Sequence, residues 1–128
     1  PPIYIGGDSD AAIRRAAKLG DGWHPGSLAP TSLAAGVAKL HEQASGRSIA
    51  VSLRGIVALG EAGGTTLSNT GTTHIRLGGP ASAVIDILTA YAEAGLEHFV
   101  CYFDHQRADQ LLAQLEQFAS HVMPAFRK

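Results

Sequence analysis

The stretch PPIYIGGDSDAAIRRAAKLGDGWHP, Pro1 to Pro25, holds a complete strand–helix–strand pattern and decides the fold class. Its β-branched and aromatic run Ile3–Ile5 predicts a short buried strand, which ends at Gly6-Gly7. Either Asp8 or Ser9 can cap the helix that follows, because each side chain can accept a hydrogen bond from an amide of the first turn. The chain therefore opens with a strand, a glycine turn and a helix N-terminus.

The helix in this stretch is amphipathic and is followed by a second strand. Its predicted buried face consists of small and apolar residues: Ala12, Ile13, Ala16, Ala17 and Leu19. Gly20 stands where a left-handed C-terminal residue is expected. The segment DGWHP predicts the next strand, which Pro25 ends.

The remaining sequence repeats the alternation of strands and helices. We predict a helix from Pro30 to the Ser45-Gly46-Arg47 turn, a strand at Ile49–Leu59, a helix from Pro80 to Gly95, a strand at His98–Phe103 and a closing helix broken near Pro124. The 20-residue Gly/Thr-rich connection that ends at Gly79 is predicted as a long loop.

This order predicts an α/β fold, because strands that alternate with helices form a parallel sheet through right-handed crossovers. The pattern contains four βα units and no hairpin signal, and we expect residues 1–128 to form a single domain. Two architectures fit: a four-stranded doubly wound sheet, or half of a (βα)8 barrel, which needs about 250 residues in full.

Composition and charge disfavour several classes of function. The chain is 45% hydrophobic and 16% charged with a net charge of −1, and it shows no membrane-length apolar run and no signal-peptide pattern. Its positive charges are scattered, which disfavours nucleic acid and anionic membranes as partners. The single cysteine, Cys101, excludes an internal disulfide and fits a reducing compartment. We therefore expect a cytoplasmic protein that acts on a small molecule.

The strand–turn–helix at Gly6-Gly7-Asp8-Ser9 is the first candidate site. Glycines allow a ligand to approach the backbone, and amides at a helix N-terminus favour a phosphate. The alternative is a plain βα turn with a capping aspartate. Trp23 and His24 lie at the carboxyl end of the second strand. Trp23 could pack against the ring of a ligand, and His24 could donate a hydrogen bond or move a proton. Their alternative is core packing for Trp23 and a structural role for His24.

Weaker candidates lie further along the chain. Gly78-Gly79 before the Pro80 helix could form a second phosphate cradle. Asp104-His105 follows the last strand and could face the same end of the sheet, although a turn explains it as well. The six histidines have no metal-ligand spacing, so no metal site is predicted.

Two segments resemble the luciferase-like monooxygenases, the flavin- and F-420-dependent oxidoreductases. They are PPIYIGGDSDAAIRRAAKLGDGWHP and LGGPASAVIDILTAYAEAGLEHFVCYF, and the final LEQFASHVMPAF is similar to that family's terminal helix. The resemblance implies the C-terminal half of a (βα)8 TIM barrel, with strands five to eight.

The resemblance also implies the chemistry. FMN or coenzyme F-420 would be the cofactor of a flavoprotein oxidoreductase or monooxygenase. Gly6, Gly7, Asp8, Ser9, Trp23, Gly78 and Gly79 would bind the cofactor, and His24 would act in catalysis. The partner would be a missing N-terminal half-barrel or a second copy in a homodimer, and the isolated chain is expected to be incomplete as a catalyst. The alternative is a non-catalytic dimeric half-barrel that binds a phosphorylated ligand.

Overall fold

A computed structural model describes residues 1–67 and 73–127. These residues belong to two compact units. The first consists of Pro1–Arg54 and Ala90–Val100, and the second of Gly55–Thr89 and Cys101–Lys128. Strand and helix boundaries lie close to those predicted in most of the chain. The single domain over residues 1–128 stays a prediction.

Strands and helices alternate along the chain. The strands are β1 (Tyr4–Gly6), β2 (Gly22–His24), β3 (Ala50–Leu59), β4 (Gly64–Leu67), β5 (Thr73–Gly79) and β6 (His98–Tyr102). The helices are α1 (Asp10–Leu19), α2 (Pro30–Ala44), α3 (Ala81–Glu93) and α4 (Ala108–Gln117). A π-helical turn at Phe118–Val122 and a 3-10 turn at Met123–Ala125 follow α4, so the break predicted near Pro124 is confirmed.

The sheet of the first unit is parallel, as predicted. β1 pairs with β2 through Gly6 and His24, and β2 pairs with β3 through Trp23 and Val51. β6 also pairs with β3. Since side chains alternate along a strand, Trp23 and Val51 share one face of this sheet and His24 lies on the other. The first face is buried together with apolar residues of α1 and α2: Ala12, Ile13, Ala16, Ala17, Leu33, Val37 and Leu40.

Helix α1 confirms most of its predicted pattern and corrects two details. Ser9 is the N-cap, and its side chain accepts a hydrogen bond from the Ala12 amide. Leu19 is 76% exposed, so its predicted burial was wrong. Gly20 is extended rather than left-handed, with φ −90°. A Cβ there would lie 2.9 Å from Ile5 Cγ1, so close packing against β1 explains this glycine.

The second unit corrects the predicted long loop. β3 pairs in parallel with β5 through Val57 and Leu77, while β4 pairs with β5 in antiparallel register. Residues predicted as a loop with no hairpin thus contain two strands of a hairpin, and residues 68–72 of that connection lie outside the described residues. β4 has four residues, of which two are threonine, a β-branched residue that suits extended backbone.

The α/β class and the parallel core are therefore confirmed, with the hairpin as an addition. No helix within residues 1–67 or 73–127 is long and apolar enough to cross a membrane.

Candidate functional site

The carboxyl ends of β1 and β2 bring two turns side by side in the first unit. Gly6, the last residue of β1, is in register with His24, the last residue of β2. The chain then enters the turn before α1 from one strand and the turn before α2 from the other. Ligands of parallel α/β sheets bind at this edge, so both turns occupy the expected position for a site.

Gly7 is the residue of the first turn that must be glycine. Its φ is +107°, and a Cβ there would lie 3.0 Å from Ala12 Cβ. Its carbonyl oxygen accepts a 2.8 Å hydrogen bond from the Trp23 indole N–H. At Gly6 a Cβ would lie 3.7 Å from the His24 carbonyl oxygen, an ordinary contact. The backbone conformation at Gly7 thus shapes the turn.

Asp8 and Ser9 both use their side chains within the protein. The Ser9 hydroxyl oxygen caps α1 at Ala12, 3.1 Å away. The Asp8 carboxylate points away from the helix and accepts a hydrogen bond from the Gly26 amide in the neighbouring turn. Asp8 therefore ties the two turns together, and the backbone amides at the start of α1 are the donors left to the predicted phosphate site.

Trp23 lies in the core of the first unit rather than at the edge of the sheet. Its side chain is completely buried, and a Cβ placed on Gly36 of α2 would lie 2.4 Å from its ring. The indole N–H is taken up by Gly7. The predicted ring contact with a cofactor does not fit this placement, because β2 directs Trp23 toward the helices and only His24 toward the opposite face.

A polar group that includes His24 lies on that opposite face. The His24 Nδ1 and the Ser52 Oγ are 2.7 Å apart, and Ser52 is buried. Arg54 follows two residues later on β3, hence on the same face, about 6.6 Å further toward the carboxyl edge. Burial, and secondly the charge of Arg54, lower the pKa of His24 below its ordinary value of 6.5. Both effects favour the neutral form of the imidazole.

This pKa shift predicts a pH dependence of stability. The unfolded chain takes up a proton at His24 near its ordinary pKa of 6.5, while the folded protein resists it. Stability supplied by His24 is therefore present above pH 6.5 and lost as pH falls below it. In urea unfolding at about pH 7.5 and about pH 5.5, His24→Gln should lose less stability on acidification than the parent. His41→Gln, on an exposed helix position, should behave as the parent; equal losses in all three proteins would contradict the assignment.

The turn before α2 is held from a second side. The Tyr91 hydroxyl donates a 2.7 Å hydrogen bond to the Leu28 carbonyl oxygen. Tyr91 is 2% exposed, and burial raises its pKa to about 12, so the hydroxyl keeps its proton. With Asp8 at Gly26 and Tyr91 at Leu28, the loop after His24 has two fixed points.

Gly78 and Gly79, in the second unit, do not form an open cradle. A Cβ on Gly78 would lie 2.4 Å from the Glu61 carbonyl oxygen. The Gly79 amide donates to that same oxygen at 2.7 Å, and the Gly79 carbonyl accepts from the Gly60 amide at 2.8 Å. Backbone packing therefore occupies the position of the predicted second phosphate site and explains the glycine at 78, while a φ of +88° explains the glycine at 79.

Asp104 and His105 belong to a charged network of the second unit. Arg76 pairs with Asp104 at 2.7 Å and with Glu61 at 3.1 Å. The His105 Nε2 contacts the other Glu61 oxygen, and the His105 side chain is 9% exposed. These side chains join the turn after β3 to the segment after β6, a structural role that the sequence analysis considered for the Asp104-His105 pair.

Cys101 and the histidines are further side chains that could react or bind a metal. Cys101 is a free thiol, and burial raises its pKa to about 11, so it is not a nucleophile at neutral pH. Among the described residues, no group of three or more His, Cys, Asp or Glu side chains could hold a metal ion.

Ser52 and Arg54 are the polar residues of this site that the sequence analysis missed. Ile49–Leu59 was predicted as a strand, with no site residue assigned to it. The available signal was the spacing: Ser52 and Arg54 are two apart, and so share a face, within an otherwise apolar strand.

Comparison with known proteins finds a family similarity in the first part of the chain. The family model of the luciferase-like monooxygenases matches residues 1–63, which include both turns, Trp23, His24, Ser52 and Arg54. Residues 1–63 are thus similar to the luciferase-like monooxygenases. The resemblance predicted from the sequence is thereby confirmed. A search of curated protein sequences finds no match to the chain.

Solved structures confirm the fold over nearly the whole chain. A coenzyme F420-dependent tetrahydromethanopterin reductase from Methanopyrus kandleri gives a TM-score of 0.75 at 15% identity, covering 98% of this chain and 51% of that one. An F420-dependent secondary alcohol dehydrogenase gives 0.72 at 13% identity, covering 99% and 49%. The long-chain alkane monooxygenase LadA gives 0.68 at 16% identity, covering 97% and 40%. The chain spans about half the length of these structures or less. Its own fold is therefore part of a TIM-barrel-like fold.

Proposed function

We propose that this chain is the cofactor-binding part of a flavin- or deazaflavin-dependent oxidoreductase of the luciferase-like monooxygenase group. One observation carries the proposal: the Gly7 turn and His24 lie side by side at the carboxyl edge of a parallel sheet, within residues 1–63. We assign these strands to the C-terminal half of the barrel. FMN and coenzyme F-420 share a phosphate and a tricyclic ring, and both suit this edge.

The first turn fits a phosphate better than the second does. Gly7 has a backbone conformation that only glycine adopts readily, and the amides that open α1 favour an anion. The Asp8 carboxylate would oppose an anion, but it already accepts a hydrogen bond from the Gly26 amide in the neighbouring turn. The Gly78-Gly79 segment lacks open space, so we do not assign it to the cofactor.

The residues of the chain would hold and orient the cofactor. When bound, the cofactor supplies the hydride or oxygen chemistry. Gly6 to Ser9 would bind its phosphate, and His24, with Nδ1 engaged by Ser52, would offer Nε2 as hydrogen-bond donor or proton carrier. For Trp23 we propose a positioning role, since its indole N–H fixes the Gly7 carbonyl.

The proposed partners are a small-molecule substrate and a protein surface that completes the barrel. In the first unit, the outer strands expose Ile3 (53%), Tyr4 (38%) and Val100 (48%). Exposed apolar residues on the outer strands of a sheet favour burial against another chain or segment. A second copy of this chain or an N-terminal half-barrel would provide it, and we propose a cytoplasmic location on account of the single unpaired cysteine.

A second candidate function is a non-catalytic dimeric half-barrel that binds a phosphorylated ligand. The complete burial of Trp23 favours it, because the ring contact predicted for a flavin is absent while the glycine turn remains.

Titration with FMN and with coenzyme F-420, followed by fluorescence, tests the proposal. We expect saturable binding of one of them, weakened by about tenfold or more in Gly7→Val, because a side chain would displace the turn. Gly46→Val is the matched control: φ is +84° there, but a Cβ would meet nothing within 4 Å. It should bind as the parent does.

The outcomes separate the two functions. Binding that Gly7→Val abolishes and Gly46→Val preserves supports the oxidoreductase. Failure of both cofactors, in a protein that is monomeric or dimeric by light scattering, would overturn it. Binding of a phosphorylated sugar by such a protein would then favour the non-catalytic module.

A further inference from the structure

Helix α1 exposes a leucine and a cation on the side that faces away from α2. Asp10 marks the side toward α2, because its carboxylate pairs with Lys39 of that helix at 2.9 Å. At about 3.6 residues per turn, Leu19 lies about 180° around the helix from Asp10, and Arg15 lies about 140° from it. Leu19 is 76% exposed. A large apolar side chain is therefore uncovered on the open side of α1, four residues after a cation.

Helix α4, in the second unit, exposes an apolar surface that is bordered by an anion. Its packed side is fixed by Gln114, which bonds the backbone of Leu59. Leu112 is 59% exposed and Leu115 is 42% exposed, and a separation of three residues places them on one face. Glu116 is also exposed, and it borders this face because it follows Leu112 by four residues. Each of the two helices thus carries an exposed leucine next to a charge, with opposite signs.

The bordering charges are available for a contact. In the part of the chain that the structure describes, Arg15 and Lys18 of α1 form no salt bridge, and neither does Glu116 of α4. Asp109, the other acid of α4, pairs with Arg107 at 2.9 Å. The α1 surface is therefore positive and the α4 surface is negative. Two α1 surfaces would repel each other, whereas an α1 and an α4 surface attract.

We propose that the Leu19 surface of α1 binds the surface of Leu112 and Leu115 on α4 of a second copy of this chain. Burial of the leucines drives the contact, and the Arg15–Glu116 pair selects it. A second copy suits the size of the fold, because the chain covers 51% of the reductase it matches. This inference selects one of the two partners in the proposed function, and it rests on that function only for the expectation that a partner completes the barrel.

Light scattering on a sizing column, at increasing protein concentration and without cofactor, measures the association. We expect the mass to rise to twice that of the chain. Arg15→Glu and Glu116→Arg, each alone, should weaken the association by about tenfold or more, because like charges then face each other. An equal mixture of the two variants should restore it, since opposite charges meet again between the copies. Glu42→Arg, at an exposed position of α2, is the control and should associate as the parent does.

Leu19→Ala separates association from folding. Leu19 is exposed in the single chain and covered in the proposed dimer, so the substitution should weaken the association by about tenfold. The free energy of unfolding of dilute, dissociated protein should stay unchanged, because association adds to stability only where the dimer is populated. A residue that merely supports the fold of its own chain would show the reverse.

The outcomes are independent of cofactor binding. A chain that stays monomeric at every concentration would overturn the second copy as the partner, even if FMN or F-420 binds. A dimer that survives Arg15→Glu and Glu116→Arg, or one that both variants abolish and their mixture does not restore, would overturn the contact as well. A dimer that is lost in each variant and restored in the mixture would support the contact, even in a chain that binds neither cofactor and so contradicts the proposed function.

Discussion

Replacing Trp23 with alanine is expected to destabilise the protein by about 3–5 kcal/mol, the range for removing a large buried aromatic side chain. Trp23 is completely buried, and its ring fills the space over Gly36 of α2. The substitution also leaves the Gly7 carbonyl without its indole donor. Because small domains are stable by only about 5–15 kcal/mol, this loss takes a large part of the total. Urea unfolding followed by circular dichroism measures it.

Two further variants separate packing from hydrogen bonding. Trp23→Phe keeps much of the buried ring and removes the N–H donor, and we expect it to cost less than the alanine variant. Leu19→Ala truncates a large apolar residue of the same unit that is 76% exposed, so its effect should stay within about 0.5 kcal/mol. A Trp23→Ala loss no greater than that of Leu19→Ala would show that the indole does not support this core.

The sequence predicted those parts of the fold in which local and tertiary preferences agree. In α1 the small apolar residues recur at helical spacing, which predicts the buried face of the helix. Ser9 lies directly before the first turn, where a serine side chain can cap the N-terminus. At the end of α2, Ser45 is left-handed with φ 51°, and the predicted turn there is confirmed. Trp23 and His24 were correctly placed at the end of a strand, because a proline stops it one residue later.

The parts that were missed depend on contacts distant in sequence. Gly20 is a glycine because Ile5 of β1 lies against it, and Gly78 because the turn at Glu61 does. Neither contact can be recognised from the neighbouring residues in the sequence, so both glycines were interpreted by their position alone. The β4–β5 hairpin was missed for a different reason: β4 is only four residues long, and the sequence between the two strands has no two-residue turn signature.

The candidate site shows the same division between local and distant information. A glycine turn before a helix is visible in the sequence, but the fate of Asp8 is decided by Gly26, 18 residues away. The role of Ser52 is decided by His24, 28 residues away. The face of a strand is fixed by alternation, so Arg54 could have been paired with Ser52 from spacing. Its nearness to His24 could not, since that depends on the register of β2 and β3.

In the second unit, the largest effect is expected for Gln114→Met. Gln114 is a buried residue of α4 whose side chain bonds both backbone groups of Leu59, the last residue of β3. The Leu59 amide donates to Oε1 at 2.8 Å, and Nε2 donates to the Leu59 carbonyl at 2.9 Å. Methionine preserves the shape of the side chain but removes the side-chain partners of a buried amide and a buried carbonyl. Each costs about 1–3 kcal/mol, so the expected loss is about 2–5 kcal/mol.

Gln117→Met, at an exposed position of the same helix, is the matched control for this loss. It makes the same chemical change and should alter the free energy of unfolding by less than about 0.5 kcal/mol. Hydrogen exchange at the Leu59 amide gives a local measurement, because that amide loses its Gln114 acceptor in Gln114→Met and should exchange faster. If the Leu59 amide stays protected and both variants are equally stable, the strand partners alone hold the end of β3, and Gln114 does not stabilise it.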